Sequence, residues 1–123
     1  MARILLVDDE EPVRALLKRG LELDGHEVVT AEDGGDGLDR LTEAGGAFDL
    51  LLTDIRMPVM DGIALALAAR RDHPDLTILL MTGYADQRER ARGLDAIVFD
   101  VLTKPFSLDE MRAAVSHALA SRA

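Results

Sequence analysis

Five short apolar runs punctuate the chain. Each is closed by an acidic or turn residue and followed by a segment of helical period. The first, Ile4-Leu5-Leu6-Val7, stops at Asp8-Asp9, and the second is the less apolar stretch from Glu27 to Ala31. The third joins Phe48 to Leu50-Leu51-Leu52 and stops at Thr53-Asp54. The fourth runs from Leu76 to Met81 before Thr82-Gly83, and the fifth from Ile97 to Leu102 before Thr103-Lys104-Pro105. Runs this short and this continuously apolar fit strands buried on both faces, as a parallel sheet requires.

Helices are predicted between them. Val13, Leu16, Leu17 and Leu21 recur at helical spacing, with Pro12 tolerable in the first turn and Gly25 as a stop. Further helices are expected over Asp36 to Ala44, ended by Gly45-Gly46, and over Ile63 to Arg71, closed before Pro74. A short charged one, Asp86 to Arg92, ends at Gly93; the last, Ser107 to Ala120, opens with Ser107 and Glu110 spaced as a capping box. Five strands alternating with five helices imply right-handed crossovers and an α/β fold, a doubly wound five-stranded parallel sheet. No repeat, linker or low-complexity tract interrupts it, so one domain is expected over residues 1–123.

Composition narrows the function classes. Lys and Arg number 14 against 23 Asp and Glu, a net charge of −9 that a phosphate backbone would repel, so direct nucleic-acid binding is not expected. The absence of cysteine removes disulfides, thiolate catalysis and cysteine-zinc sites, and fits a cytoplasmic location. The start of the chain lacks the pattern of a signal peptide, and no run approaches the ~18 apolar residues of a membrane span. His26, His73 and His117 sit on separate segments and read as surface or packing residues.

In a doubly wound sheet, ligands bind beyond the carboxyl ends of the strands, near the point where strand order reverses. The residues closing the runs there are Asp8, Asp9, Asp54, Thr82 and Lys104. If the third strand lies beside the first, three carboxylates converge. At ~4 Å each pair repels by about 4 kcal/mol at an effective dielectric near 20. Such a cluster protonates, stays wet or holds a cation, and oxygen ligands with open positions suit Mg2+. Lys104 adds a compact positive charge and Thr82 a hydroxyl, a set matched to phosphoryl transfer with Asp54 as nucleophile. Singly, each residue has a plain structural reading: Asp8-Asp9 as acids capping the first helix, Thr82 as a turn residue, Lys104 as a solvated charge. Their joint placement at four strand ends favours the chemical one.

Val7-Asp8-Asp9-Glu10, the stretch Thr53-Asp54-Ile55-Arg56-Met57-Pro58-Val59-Met60-Asp61-Gly62, Thr82-Gly83 and Lys104-Pro105-Phe106 together resemble the receiver domain of two-component response regulators, over essentially the whole chain. The resemblance implies a flavodoxin-like strand order 2-1-3-4-5 and phosphotransfer onto Asp54 from a histidine kinase or histidine phosphotransfer protein. It implies a regulator with self-catalysed phosphorylation and dephosphorylation, not a conventional enzyme. It further implies Mg2+ held by the Asp9 and Asp54 side chains and the Arg56 backbone carbonyl, with Asp8 acting through water, and a cis peptide between Lys104 and Pro105. Receivers usually carry Tyr or Phe three residues before the lysine, a ring that turns inward as the threonine moves. Here Val101 holds that position, with Phe99 and Tyr84 as nearby rings. Arg56 and Tyr84 lie where the family varies dephosphorylation rate.

Met81 to Ala91 and Asp100 to Leu108 are also similar to the CpdR adaptor regulators, which implies a ClpX partner for the unphosphorylated form. Since the sequence closes after the fifth helix, the expectation is a single-domain regulator without an output domain, acting through protein contact; a phosphorelay intermediate or phosphate sink is the alternative. From another class, an aspartyl phosphatase of haloacid-dehalogenase type needs a second Asp two residues after the nucleophile, which Asp54-Ile55-Arg56 lacks. A flavin carrier needs a Ser/Thr/Gly-rich phosphate loop where this chain has Asp8-Asp9-Glu10-Glu11.

Overall fold

The computed structural model describes residues 2–45 and 47–121, with residues 85–87 described by their backbone alone. Strands β1 (Arg3–Val7), β2 (Glu27–Ala31), β3 (Leu50–Asp54), β4 (Thr77–Thr82) and β5 (Asp100–Thr103) alternate with helices α1 (Glu11–Leu23), α2 (Gly34–Ala44), α3 (Gly62–Asp72), α4 (Ala85–Ala91) and α5 (Leu108–Ala120). The strands form one parallel sheet in the order β2-β1-β3-β4-β5. The predicted architecture and order are both present.

Alternation within the runs divides the core in two. Ile4, Leu6, Leu50, Leu52, Leu79 and Met81 face α1 and α5, where Leu17, Leu21, Met111 and Val115 meet them. Leu5, Val7, Leu51, Ile78 and Leu80 face the opposite way, against Leu41, Leu65, Ala66 and Ala69 of α2 and α3. A run apolar at every position is what two covered faces demand, and each fully buried Leu or Ile contributes about 1.5–3 kcal/mol.

Several local details differ from expectation. Leu16 is 56% exposed, because the buried stripe of α1 is centred on Leu17, Gly20 and Leu21 instead. Gly20 belongs to it because a Cβ there would lie 2.7 Å from Leu108 Cδ1, so the Leu108 side chain packs into the space that glycine leaves on α1. Helix α2 begins two residues before its predicted start, where the Asp33 carboxylate accepts from the Asp36 N–H. It stops at Gly45 in the left-handed region; the other predicted stop residue, Gly46, lies outside the described residues. Helix α4 passes into a 3-10 turn, Arg92–Leu94, that runs through the expected stop at Gly93. β5 is shorter than its apolar run because the Ile97 and Val98 N–H groups both turn back to the Leu94 carbonyl. The capping box at Ser107 and Glu110 is present. At the other end of the sequence, the N-cap of α1 is Glu10, and the capping reading of Asp8-Asp9 does not hold.

β3, β4 and β5 each run past their apolar stretch, so Asp54, Thr82 and Thr103 are strand residues with directions set by the ladder. Among the described residues, no helix is long and apolar enough to cross a membrane.

Candidate functional site

Strand register assembles the site. Val7 pairs with Thr53, which sets Asp8 beside Asp54 at the point where strand order reverses. Asp54 pairs with Met81 and Thr82 with Thr103, which carries Thr82 and Lys104 to the same edge. Lys104 Nζ lies 3.3 Å from Asp54 Oδ2 and 3.7 Å from Asp8 Oδ2. The Lys104–Pro105 peptide is cis, as expected from the resemblance.

Each acid is held by backbone. Asp8 is fully buried; its Oδ1 accepts from the Glu10 N–H at 2.9 Å, and its carbonyl accepts from Arg14 Nη1 at 2.7 Å. Asp54, 7% exposed, accepts the Ile55 N–H on Oδ1 at 3.0 Å. Behind Asp54 the chain turns back so tightly that a Cβ on Gly62 would lie 2.0 Å from the Asp54 carbonyl oxygen. Only glycine fits that approach, and the Gly62 N–H donates to Ile55 O at 2.8 Å. Thr82 is buried, and its Oγ1 accepts from the Tyr84 N–H at 3.1 Å.

An open cavity of about 530 Å3 covers this edge, lined by Asp9, Glu10, Asp54, Arg56, Gly83, Tyr84 and Lys104. Burial pushes the Asp54 carboxyl up to about 6, against the pull of Lys104 and with a further push from Asp8. Burial likewise raises Asp8, opposed by the Glu10 N–H and Lys104 and assisted by the Asp9 and Glu10 charges. Carboxylates shifted this way by burial among like charges are a signature of functional sites.

Carboxylate oxygens of Asp8, Glu10 and Asp54 all lie within 4.8 Å of one another. Asp8 Oδ2 is buried without a hydrogen-bond partner, although Lys104 sits nearby. Hard oxygen donors around an unsatisfied buried oxygen fit Mg2+. The sequence points to Asp8, Asp9 and Asp54 as the converging acids, and the structure adds Glu10 to Asp8 and Asp54. Asp9 is exposed and lines the cavity, but it lies outside the clustered three. The signal for Glu10 is its place at the N-cap of α1, where its N–H donates to Asp8 Oδ1.

Arg56 and Tyr84 form one wall of the cavity, the guanidinium carbon 4.8 Å from the ring centroid. Val101 is half-buried against the core beside Leu80. Phe99 does not fill the place of the missing ring: it lies before β5, edge-on to His117 with centroids 5.4 Å apart. His26 Nδ1 accepts from the Ala2 N–H and His73 ends α3, so the histidines stand apart from the site.

The sequence matches the response regulator receiver domain family over residues 4–116. It is 40% identical over 120 residues to the transcriptional regulatory protein PrrA of Mycobacterium tuberculosis, an alignment covering 98% of this chain and 51% of PrrA. It is 41% identical over 111 residues to the response regulator MprA of Mycobacterium avium, covering 90% of this chain and 48% of MprA. The chain thus spans about half the length of the curated relatives it matches. A receiver domain protein from Clostridium thermocellum superposes with a TM-score of 0.88 at 29% identity, over 98% of this chain and 95% of that one. The response regulator TrrA of Thermotoga maritima, solved in complex with Mg2+-BeF, gives 0.84 at 36% identity over 96% and 99%. With its sheet order, its acidic strand-end site and its sequence all in agreement, the chain belongs to the response regulator receiver domain family of two-component systems.

Proposed function

We propose that Asp54 is the phosphoacceptor of this receiver and that a phosphohistidine on a histidine kinase or phosphotransfer protein is the donor. The carrying observation is the Asp54 carboxylate itself: buried, lining the cavity, paired with Lys104 and clustered with the carboxylates of Asp8 and Glu10. With its carboxyl at about 6, Asp54 is ionised at neutral pH and available as a nucleophile. Its oxygen attacks phosphorus, the O–P bond forms, and the P–N bond to the donor breaks. The imidazole leaves with the bonding pair and takes up a proton. Lys104 moves from pairing the Asp54 carboxylate to pairing the new phosphoryl oxygens, and the Thr82 hydroxyl donates to them. Asp9, Asp54 and the Arg56 carbonyl would hold Mg2+ together with the neighbouring carboxylates of Asp8 and Glu10; when bound, the ion would neutralise charge on the transferring group. Hydrolysis returns the carboxylate and inorganic phosphate, with Arg56 and Tyr84 on the path that water takes.

The signal would pass by contact with another protein, in the cytoplasm, with the chain acting as phosphoacceptor and not as a conventional enzyme. A phosphorelay or phosphate-sink role uses the same chemistry without such a contact. The narrower adaptor reading, with ClpX as partner, rests on residues 81–91 and 100–108 alone. Capture by ClpX of the unphosphorylated chain but not the phosphorylated one would support it, and equal capture would refute it.

Incubation with acetyl phosphate and Mg2+ tests the phosphoacceptor. The wild type should gain one acid-labile phosphoryl group by intact mass, and Asp54→Asn should gain none. Equal labelling of Asp54→Asn would assign the nucleophile elsewhere.

A further inference from the structure

Tyr84 is the aromatic residue that lies on the site. Its ring, 49% exposed, stacks with the Arg56 guanidinium at 4.8 Å, and its backbone N–H donates to Thr82 Oγ1 at 3.1 Å. One tether therefore runs to Arg56, which lines the Asp54 cavity, and the other to Thr82 at the end of β4. Lys104 is committed to Asp54 and Asp8, whereas Arg56 has no carboxylate at ion-pair distance among the described residues and rests on the ring alone.

We propose that Tyr84 replaces the ring missing at Val101: when Asp54 carries a phosphoryl group, Arg56 leaves the Tyr84 ring for the phosphoryl oxygens and the ring is released to solvent. Phosphorylation of Asp54, as proposed above, is its premise. A phosphoryl group brings close to two negative charges and several acceptor oxygens into a cavity that Arg56 already lines. The planar guanidinium fork matches those oxygens, and a charge-assisted pair outweighs an exposed cation–π contact. The second tether weakens for the same reason. Thr82 Oγ1, drawn towards the phosphoryl oxygens as a donor, pulls away from the Tyr84 N–H. Tyr84 immediately precedes α4, so both losses fall on the start of that helix. Its far end stays anchored by buried Ala91 and by the Arg90–Asp61 ion pair at 3.0 Å, which confines the change to the first turn.

The chain has one tyrosine and no tryptophan, so its ultraviolet fluorescence reports on Tyr84 alone. Acrylamide quenching is to be measured on the wild type and Arg56→Gln, before and after treatment with acetyl phosphate and Mg2+. Intact mass gives the phosphorylated fraction in the same samples. The wild-type quenching constant should rise about 1.5- to 2-fold at full phosphorylation, as a half-exposed ring loses its guanidinium cover. It should approach the value that Arg56→Gln shows before treatment. Arg56 is exposed, so the variant keeps the fold, which circular dichroism checks. Phosphorylated wild type with an unchanged constant overturns the hand-off and leaves the phosphoacceptor reading standing. An untreated Arg56→Gln protein quenched like the wild type does the same. A wild type that gains no mass overturns both.

Discussion

The two ends of the sheet treat charge in opposite ways. At the end where the strands begin, polar groups bind the framework together. The Arg3 N–H donates to Asp49 Oδ2 at 2.8 Å, the Ala2 N–H to His26 Nδ1 at 3.1 Å, and the Arg3 guanidinium stacks on Phe48 at 4.8 Å. Arg70 of α3 reaches across to the Ile97 carbonyl at 2.7 Å and also bonds the Pro74 carbonyl. At the end where the strands finish, Asp8 and Asp54 are buried side by side, one lysine faces both, and both carboxyls are pushed up. α1 and α3 begin at this end, and their positive N-terminal poles favour anions there. The first end is arranged for stability, while the second holds an energetic tension between two buried carboxyls that share one lysine.

The sharpest break of that contrast comes from Gly62, where a methyl group would meet the Asp54 carbonyl at 2.0 Å. Gly62→Ala should destabilise the fold by about 3 kcal/mol through forced backbone displacement. Urea denaturation would read this, and an unmoved midpoint would mean the two segments separate freely. At the opposite end, Arg70→Ala should cost about 2 kcal/mol, since two carbonyls lose a charged donor. That loss should be the same at pH 4 and pH 8, because neither partner titrates there.

Asp54→Asn should act in the opposite direction and with a pH signature. The Asp54 carboxyl, 3.8 in the ordinary state and about 6 here, binds its proton more tightly folded than unfolded. Below pH 3.8 it is protonated in both states and contributes nothing; as pH rises through 6, ionisation penalises the fold. At about 1.4 kcal/mol per pH unit the full penalty is about 3 kcal/mol, part of it offset by Lys104 losing its partner in the variant. Without divalent ions, Asp54→Asn should therefore be more stable than the wild type by about 2 kcal/mol at pH 8 and by little at pH 4. A difference independent of pH would remove the tension from Asp54. The smallest effect belongs to Val59, a β-branched residue at φ 70 in the same loop, 85% exposed. Val59→Gly should stabilise by about 0.5–1 kcal/mol, left-handed strain relieved against glycine's greater unfolded entropy, seen as a higher melting temperature.

Local spacing made much of this legible. The apolar runs mark the strands, Ser107 and Glu110 are spaced as a capping box, and the residues closing four of the runs are Asp8, Asp54, Thr82 and Lys104. What stayed hidden depends on neighbours distant in sequence. Leu16 fits the helical stripe but faces solvent, because the stripe is centred where Gly20 admits Leu108. Asp8 reads as a helix cap until β3 is laid beside β1 and buries it against Asp54. Glu10 becomes a third acid only once its backbone N–H, at the start of α1, meets Asp8 and its carboxylate lies within 4.8 Å of that pair, and nothing in the spacing of residues 56 and 84 announces that their side chains stack.

By itself, then, the sequence determined the elements, their order and the chemical types at the strand ends, because periodicity, caps and turn residues act within a few positions. Tertiary structure alone decided which acids share one field, how far burial lifts them, and which ring borders the site. Those follow from the register of strands some fifty residues apart, as in Val7 against Thr53, and from the water excluded when they pair.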